Sequence, residues 1–497
     1  MKTKLRDFEF DQIPARYIQL TCLTAVAVYW ALTTIFGIYI YEDFRNLIML
    51  QINLAGMVYF GVTIRTHLSR TARNTILLGL CFCAWPLFMQ LRDLQYVIST
   101  WHPEARFPNG VFLCEYLMLL PYACAADEKE KVTGLKVFGW FVILATAVLT
   151  VWGLPFGENL IPVNLRDTYR WNGMRMCIIW NANMLAVVYM AGIAFCLMFI
   201  CQIRNIVAKL ALGGLACLEF IAMTLTDCRA VVLMTACLLG GTVFVLINRG
   251  GAKRFIAALL AAVVVLGISY KTSAYIYQVH TDRFIAATLE KAAAQKEEAE
   301  SEAEETAVPA EDAEENSGEE EIEEYYETEL QAQYYEDERQ YRESTEHLFA
   351  FGGRTMIWKE TLKLLKENPR VLLVGMRSIE DTIPYYDDYA AHAHNAWLNI
   401  LMWLGLIGLG FALYLTWITA KNAFSLIFLK QSETYQKIIA ILLIAILISE
   451  FFEPQLFFVM YPDNFTNMIY LLCLGYTIYW EKNAQPLAKK KREIPEA

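Results

Sequence analysis

Apolar segments of similar length recur along most of the chain, and short polar segments separate them. A helix needs roughly 20 apolar residues to cross the hydrocarbon core of a bilayer. Twelve segments come close to that length, at residues 17–40, 46–64, 75–91, 110–125, 136–153, 177–201, 207–226, 230–248, 255–270, 396–419, 437–459 and 466–480. The pattern predicts an all-α, polytopic membrane protein with about 12 transmembrane helices.

The composition also favours a membrane protein. Of the 497 residues, 56% are hydrophobic and 19% are charged, and the mean hydropathy is +0.33, so the chain is more apolar than a typical soluble protein. The net charge of −10 conceals two regions of opposite sign, because residues 297–346 hold 22 acidic and 2 basic side chains. The remaining chain is therefore net positive. Because that charge belongs to an apolar membrane chain, we expect no nucleic-acid partner.

The distribution of lysine and arginine predicts the orientation, since cytoplasmic flanks of membrane helices are enriched in these residues. With the N-terminus inside, the inside segments hold 23 of them and the short outside loops hold 7. Both termini are therefore expected in the cytoplasm. The chain then divides into a membrane domain at 1–270, an extracytoplasmic loop at 271–395, a second membrane part at 396–480 and a basic cytoplasmic tail at 481–497.

The long loop is expected to have three parts. Its first part, to about residue 296, continues the ninth span as a helix. Residues 297–346 carry too much charge to bury a core, so we expect them to be partly disordered. They could keep anionic material away from a site or guide a cationic acceptor to it.

Residues 351–395 are the part of the loop expected to form a site. Trp358, Leu362 and Leu365 share one side of a predicted amphipathic helix, which Asn368 and Pro369 should end. His392, His394 and Asn395 come directly before the tenth span. A histidine and Arg354 are thus expected near the outer membrane face.

Several polar side chains fall inside or beside predicted spans, where charge is costly. Glu115, Glu219 and Glu450 all lie in the outer half of their spans, and Asn181 and Asn183 lie near the outer end of the sixth span. This grouping favours a wet cavity that opens outward. A catalytic role for any single one of these carboxylates is not expected.

Arginines in the short outside loops stand out because the charge bias disfavours them there. Of the seven, the excess is concentrated in Arg166, Arg170 and Arg175, and Arg229 stands alone between the seventh and eighth spans. A guanidinium matches phosphate oxygens and stays charged at any relevant pH. Anchoring to lipid headgroups is an equally good explanation for Arg166 and Arg170.

The compartment limits the substrate. Nucleotide sugars are cytoplasmic, so an outward-facing enzyme with cationic residues at the membrane needs a donor that the membrane delivers. A polyprenyl-diphosphate-linked sugar meets this requirement. Arginines could stabilise its leaving group without metal, and a neutral histidine could take the proton of an acceptor hydroxyl.

The spacing of these residues resembles a known family. The elements are Gly353-Arg354, Trp358, Asn368-Pro369, Gly375, His394-Asn395-Ala396-Trp397-Leu398 and Gly405-Leu406-Ile407-Gly408, with Arg170, Gly173, Asn181, Asn183 and Arg229 upstream. Together they resemble the signature of the O-antigen ligase and polymerase family of bacterial membrane proteins, over residues 165–480.

The resemblance implies a GT-C-like glycosyltransferase of the cell membrane that needs no metal or cofactor. It would transfer glycan from an undecaprenyl diphosphate carrier to a lipid, glycan or protein acceptor, among membrane lipids. Arg354 and His394 would be the catalytic residues, with Arg229 and Arg354 on the diphosphate and His394 as general base. The other substrate-binding candidates are Arg170, Arg175, Asn183 and Asn395.

Ligase and polymerase activities share this donor, and the sequence leaves both open. Two readings of another kind also remain. A secondary transporter is compatible with twelve spans, although no internal repeat is evident. A metal-dependent GT-C enzyme would use an acidic pair such as Glu42 and Asp43, but their loop is only about five residues long by the span boundaries.

Overall fold

The computed structural model is almost entirely helical where it describes the chain. The described residues are 77, 120, 123, 128–154, 171–172, 175–176, 182–248, 251–305, 354–376, 393–452 and 465–492. The first three predicted spans lie outside this part except for residue 77, and the fourth is represented only by residues 120 and 123.

Ten helices and two short strands make up the described part. The helices are α1 (Glu128–Gly153), α2 (Ala182–Gln202), α3 (Ile206–Leu225), α4 (Arg229–Ile247), α5 (Ala252–Glu305), α6 (Arg354–Glu367), α7 (Pro369–Val374), α8 (Ala396–Phe428), α9 (Thr434–Ser449) and α10 (Phe465–Arg492). The strands are β1 (Trp171–Asn172) and β2 (Arg175–Met176), which pair antiparallel. The sequence pattern did not predict this hairpin.

The helices form a bundle with α2 and α9 at its centre. Helix α2 packs against α1, α3, α4, α9 and α10, and α9 packs against α4, α8 and α10. Nearly all side chains of α2 are buried, including Tyr189 and Phe195. A helix that is apolar on all sides belongs in the interior of a bundle, so composition and position agree.

Helix α5 is much longer than a membrane crossing. Its 54 residues extend about 80 Å, against a hydrocarbon core of about 30 Å. The Ser273 hydroxyl lies 3.1 Å from that of Thr224, near the end of α3, so the segment after Ser273 projects past the α3–α4 turn. The predicted helical continuation is confirmed, and the helix reaches Glu305 inside the acidic segment. The rest of that segment lies outside the described residues.

Six helices of the described part are long and apolar enough to cross a membrane. They correspond to the fifth to tenth predicted spans, in α1, α2, α3, α4, α5 and α8. The bundle also exposes large apolar side chains such as Leu260, Val263 and Trp417, as a lipid-facing surface should. These findings identify a membrane protein.

The eleventh predicted span is shorter in the structure than the sequence indicated. Residues 437–459 were expected to form one helix, but α9 ends at Ser449 and Glu450 to Phe452 turn away. The twelfth falls in α10, which continues into the basic tail to Arg492.

Helix α6 forms where it was predicted, but its buried side is rotated. Leu365 is buried as expected, whereas Leu362 is 54% exposed and Leu364 and Thr361 are buried in its place. The apolar spacing of Trp358, Leu362 and Leu365 had placed Leu362 on the buried side, and it passed over Thr361, which is polar. The Thr361 hydroxyl instead bonds to the Ile357 carbonyl of its own helix at 2.7 Å, which satisfies it on the buried side.

Candidate functional site

His394 lies in a short connection that leads into α8, and its backbone is in the left-handed region with φ +47°. This conformation is uncommon for a residue with a side chain and tends to occur at functional sites. Asp227 is the only other residue besides glycine with positive φ among those that the structure describes.

The residue before His394 is fixed from two sides. The Ala393 N–H donates to Asn399 Oδ1 at 2.8 Å, and its carbonyl accepts from Trp358 Nε1 at 2.8 Å. Trp358 belongs to α6 and Asn399 to α8. The two backbone polar groups of Ala393 are therefore held by separate helices.

The residue after His394 is fixed as well. Asn395 is the N-cap of α8, where its Oδ1 accepts the Leu398 N–H at 3.0 Å. Its Nδ2 donates to the Phe451 carbonyl at 2.9 Å, and the Ala396 N–H donates to the Glu450 carbonyl at 2.9 Å. The end of α9 thus locks the start of α8, and His394 is held on both sides.

Arg354 is the first residue of α6 and is partly exposed. It precedes Trp358 by four residues, and residues at that spacing lie side by side on a helix. Since Trp358 bonds to the residue before His394, Arg354 is within about one helical turn of that contact.

A close backbone contact sets the position of α6 and α7 against α8. Helix α8 is interrupted at Gly405, where φ is +64°, and Gly375, at the end of α7, has φ +83°. A side chain on Gly405 would overlap the backbone of Leu373, and one on Gly375 would overlap that of Trp403. The Met376 N–H also donates to the Met402 carbonyl at 2.7 Å.

Arg229 begins α4, directly after the tight turn that follows α3. Its Nε lies 3.7 Å from Asp227 Oδ1, and Asp227 is the residue with φ +54°. The Arg229 side chain is 46% exposed and that of Asp227 only 10%. The carboxylate therefore restrains the base of the guanidinium and leaves much of the cation accessible.

Arg229 and the His394 connection lie at the same end of the bundle. A side chain on Gly241 of α4 would contact Ile441 of α9 at 3.1 Å, so these residues mark one level. From there, antiparallel α4 and α9 lead about 18 Å to Arg229 and about 14 Å to Glu450. The Glu450 carbonyl accepts the N–H of Ala396, which is two residues after His394. Arg229 and His394 therefore lie at similar heights along the bundle.

The remaining predicted site residues are placed in part. Asn183 is buried in the first turn of α2. The start of α2 lies beside the end of α3, which Arg229 follows. Arg175 is in β2, opposite Asn172, and β2 contacts α3. Arg170 lies outside the described residues.

The buried carboxylates do not line an apolar groove between α4, α8 and α9. Glu219 and Glu450 are fully buried among helices. The groove, of about 200 Å³, lies between α4, α8 and α9 and is apolar, with Met234, Phe428 and Ile448 in its wall. Glu115 and Asn181, which were also expected at a wet cavity, lie outside the described residues.

The sequence analysis missed two residues that fix the site. Asn399 was hidden within an apolar span, although a buried amide there needs a partner. Asp227 precedes Arg229 by two residues, a spacing from which a local ion pair could have been predicted.

The fold and the site together define a polytopic helical membrane protein with arginine and histidine side chains at one end of its bundle. Residues 212–413 match the family model described as O-antigen ligase. The matched segment covers less than half of the chain and contains Arg229, Arg354 and His394. No curated protein matches the chain. The match supports ligase-like or polymerase-like glycan transfer in polysaccharide biosynthesis.

Proposed function

We propose that the protein transfers a glycan from a polyprenyl diphosphate carrier to an acceptor hydroxyl at the outer face of the cell membrane. The observation that carries the proposal is the restrained backbone beside His394, where Trp358 and Asn399 bond to Ala393. Arg354 lies about one helical turn from this Trp358 contact. The match of residues 212–413 to the O-antigen ligase family model supports glycan transfer in general.

The diphosphate is the group that the arginines would bind. Arg229 and Arg354 each begin a helix, and the N-terminus of a helix carries a partial positive charge. A guanidinium adds a full charge and a fork of donors for phosphate oxygens. These residues would stabilise the negative charge that develops on the leaving diphosphate. Arg170, Arg175, Asn183 and Asn395 are proposed to support binding.

His394 would act on the acceptor. In the transfer, the bond between the sugar's anomeric carbon and the diphosphate oxygen breaks, and the acceptor oxygen bonds to that carbon. The acceptor proton passes to a neutral His394 nitrogen. A fixed general base gains from orientation, and the double restraint of its backbone provides this. No metal or cofactor has a role in this scheme.

A ligase and a polymerase would use the same donor with different acceptors. The matched family model, O-antigen ligase, favours a ligase. Mass spectrometry of lipid-linked glycan in a deletion strain distinguishes the two. Accumulated long carrier-linked chains with no surface polymer are expected for a ligase, and accumulated single units indicate a polymerase. Unchanged lipid-linked glycan and surface polymer would contradict both.

A further inference from the structure

Glu219 is a fully buried carboxyl group, and nothing in the proposed transfer uses it. It lies on α3, 14 residues into a helix that is long and apolar enough to cross the membrane. Helices α1 and α2 pack against this part of α3. An ionisable side chain in such a place is costly and needs a physical explanation.

Among the described residues, Glu219 has one hydrogen-bonding partner. Its Oε1 is in a short hydrogen bond with Thr146 Oγ1 of α1. Its Oε2 has no hydrogen-bond partner among the described residues, and no lysine, arginine or histidine of that part interacts with the carboxyl group. The titratable groups that interact with it are Tyr189 and Cys196 of α2, both neutral acids in ordinary conditions.

Gly192 of α2 makes this close approach possible. A side chain at Gly192 would meet Thr146 Oγ1 at 2.6 Å and Glu219 Oε2 at 2.8 Å. The glycine therefore lets three helices meet at one carboxyl group. The contact is a built feature of the bundle because each of the three helices contributes to it.

Counting hydrogens favours the protonated acid. Thr146 Oγ1 has a single hydrogen, yet the carbonyls of Val142 and Ile143 lie 2.9 and 3.1 Å away and Glu219 Oε1 is also in contact. If Glu219 is protonated, it donates to Thr146, and the threonine hydroxyl donates to its own helix. If Glu219 is ionised, the described residues give a full buried charge one neutral donor, which is far too little compensation.

We propose that Glu219 is a proton-binding site, at which a neutral carboxylic acid on α3 donates a hydrogen bond to Thr146 on α1 across Gly192. The ligand is a proton, and its binding is coupled to the contact between these helices. Loss of the proton would leave an ionised group between α1 and α3 and would favour their separation.

Infrared spectroscopy of the full-length protein in lipid at pH 7 tests the proposal, since a carboxylic acid and a carboxylate absorb at different frequencies. Glu219→Gln should remove an acid C=O stretching band, and Thr146→Val should shift that band by removing its acceptor. Glu360→Gln, at an exposed residue of α6 that pairs with Lys363, should leave the acid band unchanged. Removal of carboxylate absorption by Glu219→Gln would overturn the proposal.

Folding of the variants provides a second criterion. Glutamine has nearly the shape of the neutral acid and can donate to Thr146, so Glu219→Gln should fold like the wild type. Glu219→Asp keeps the acidic group but shortens its reach, and it should be less stable than the glutamine variant. The reverse order, with aspartate folding and glutamine failing, would show that a negative charge is required and would contradict the proposal.

Discussion

The side-chain oxygen of Asn399 accepts the backbone N–H of Ala393 at 2.8 Å, and this bond joins the first turns of α8 to the residue before His394. Asn399 is 1% exposed, so its amide has no ready replacement by solvent. The bond has the same length as the one from Trp358 to the Ala393 carbonyl. Two helices thus hold the N–H and the carbonyl of Ala393, directly before His394 with its left-handed φ of +47°.

Replacing Asn399 should therefore affect the chemical step. Asn399→Leu leaves the Ala393 N–H buried without an acceptor, and loss of alignment at a general base costs about 100-fold in rate. Asn399→Asp retains an acceptor and should recover part of the activity. We expect a fall in kcat with little change in KM, measured as glycan transfer from a lipid-linked donor.

Asn422 supplies the matched control, because it is a second buried asparagine on α8 and lies near the other end of that helix. Asn422→Leu should change the thermal stability of the protein. The fraction of it that folds should keep the wild-type kcat. Equal losses of kcat in both leucine variants would indicate a general effect on α8 and not positioning of His394.

The contact between α7 and α8 predicts a stability difference between two glycines of one helix. Gly405→Ala places a side chain against the backbone of Leu373 at positive φ and should lower the free energy of unfolding by more than about 1 kcal/mol. Gly410 has no atom within 4 Å of an added side chain, so Gly410→Ala should stabilise the helix by up to about 1 kcal/mol. Melting temperatures in one detergent compare the two, and a Gly405→Ala protein as stable as Gly410→Ala would contradict the described packing.

Arg229 is expected to bind the donor through charge, with Asp227 as its restraint. Arg229→Ala should weaken binding of the polyprenyl diphosphate carrier strongly, whereas Arg229→Lys should recover only part because an ammonium lacks the planar fork. Asp227→Asn removes the partner of Arg229 and should have a smaller effect. Titration with the carrier alone measures all three, and unaltered binding in Arg229→Ala would remove this residue from the site.

The part of the acidic segment that follows α5 should be dispensable for donor binding. Helix α5 ends at Glu305, so a deletion of 306–340 leaves it whole. We expect the shortened protein to bind the carrier as tightly as the full chain, because the segment carries charge of the same sign as the diphosphate. If the deletion abolished carrier binding, the acidic segment would belong to the site.

The sequence predicted those elements that depend on local pattern. The spans in α1 to α5 and α8 follow from apolar length, and the stop at Asn368 follows from the proline after it. The break at Gly405 could not be predicted from periodicity, since the apolar pattern continues through it. The buried side of α6 was misassigned because Thr361 satisfies its hydroxyl within the helix.

The candidate site was predictable in its residue types but not in its support. Arginine and histidine are conspicuous in an apolar chain, and the family resemblance singled out Arg229, Arg354 and His394 among them. The bonds from Trp358 and Asn399 to Ala393 join residues 35 and 6 positions apart, and no periodic pattern encodes them. Such contacts depend on how helices meet, which only the folded chain determines.

The measurement that tests the central claim most directly is turnover of a purified polyprenyl-diphosphate-linked glycan by protein reconstituted in lipid. Arg354→Ala and His394→Ala should each abolish consumption of the donor while the protein inserts and folds normally. Lys363→Ala removes a cation from the exposed side of the same helix as Arg354 and should leave turnover unchanged. Full turnover in both the Arg354→Ala and the His394→Ala proteins would contradict the account.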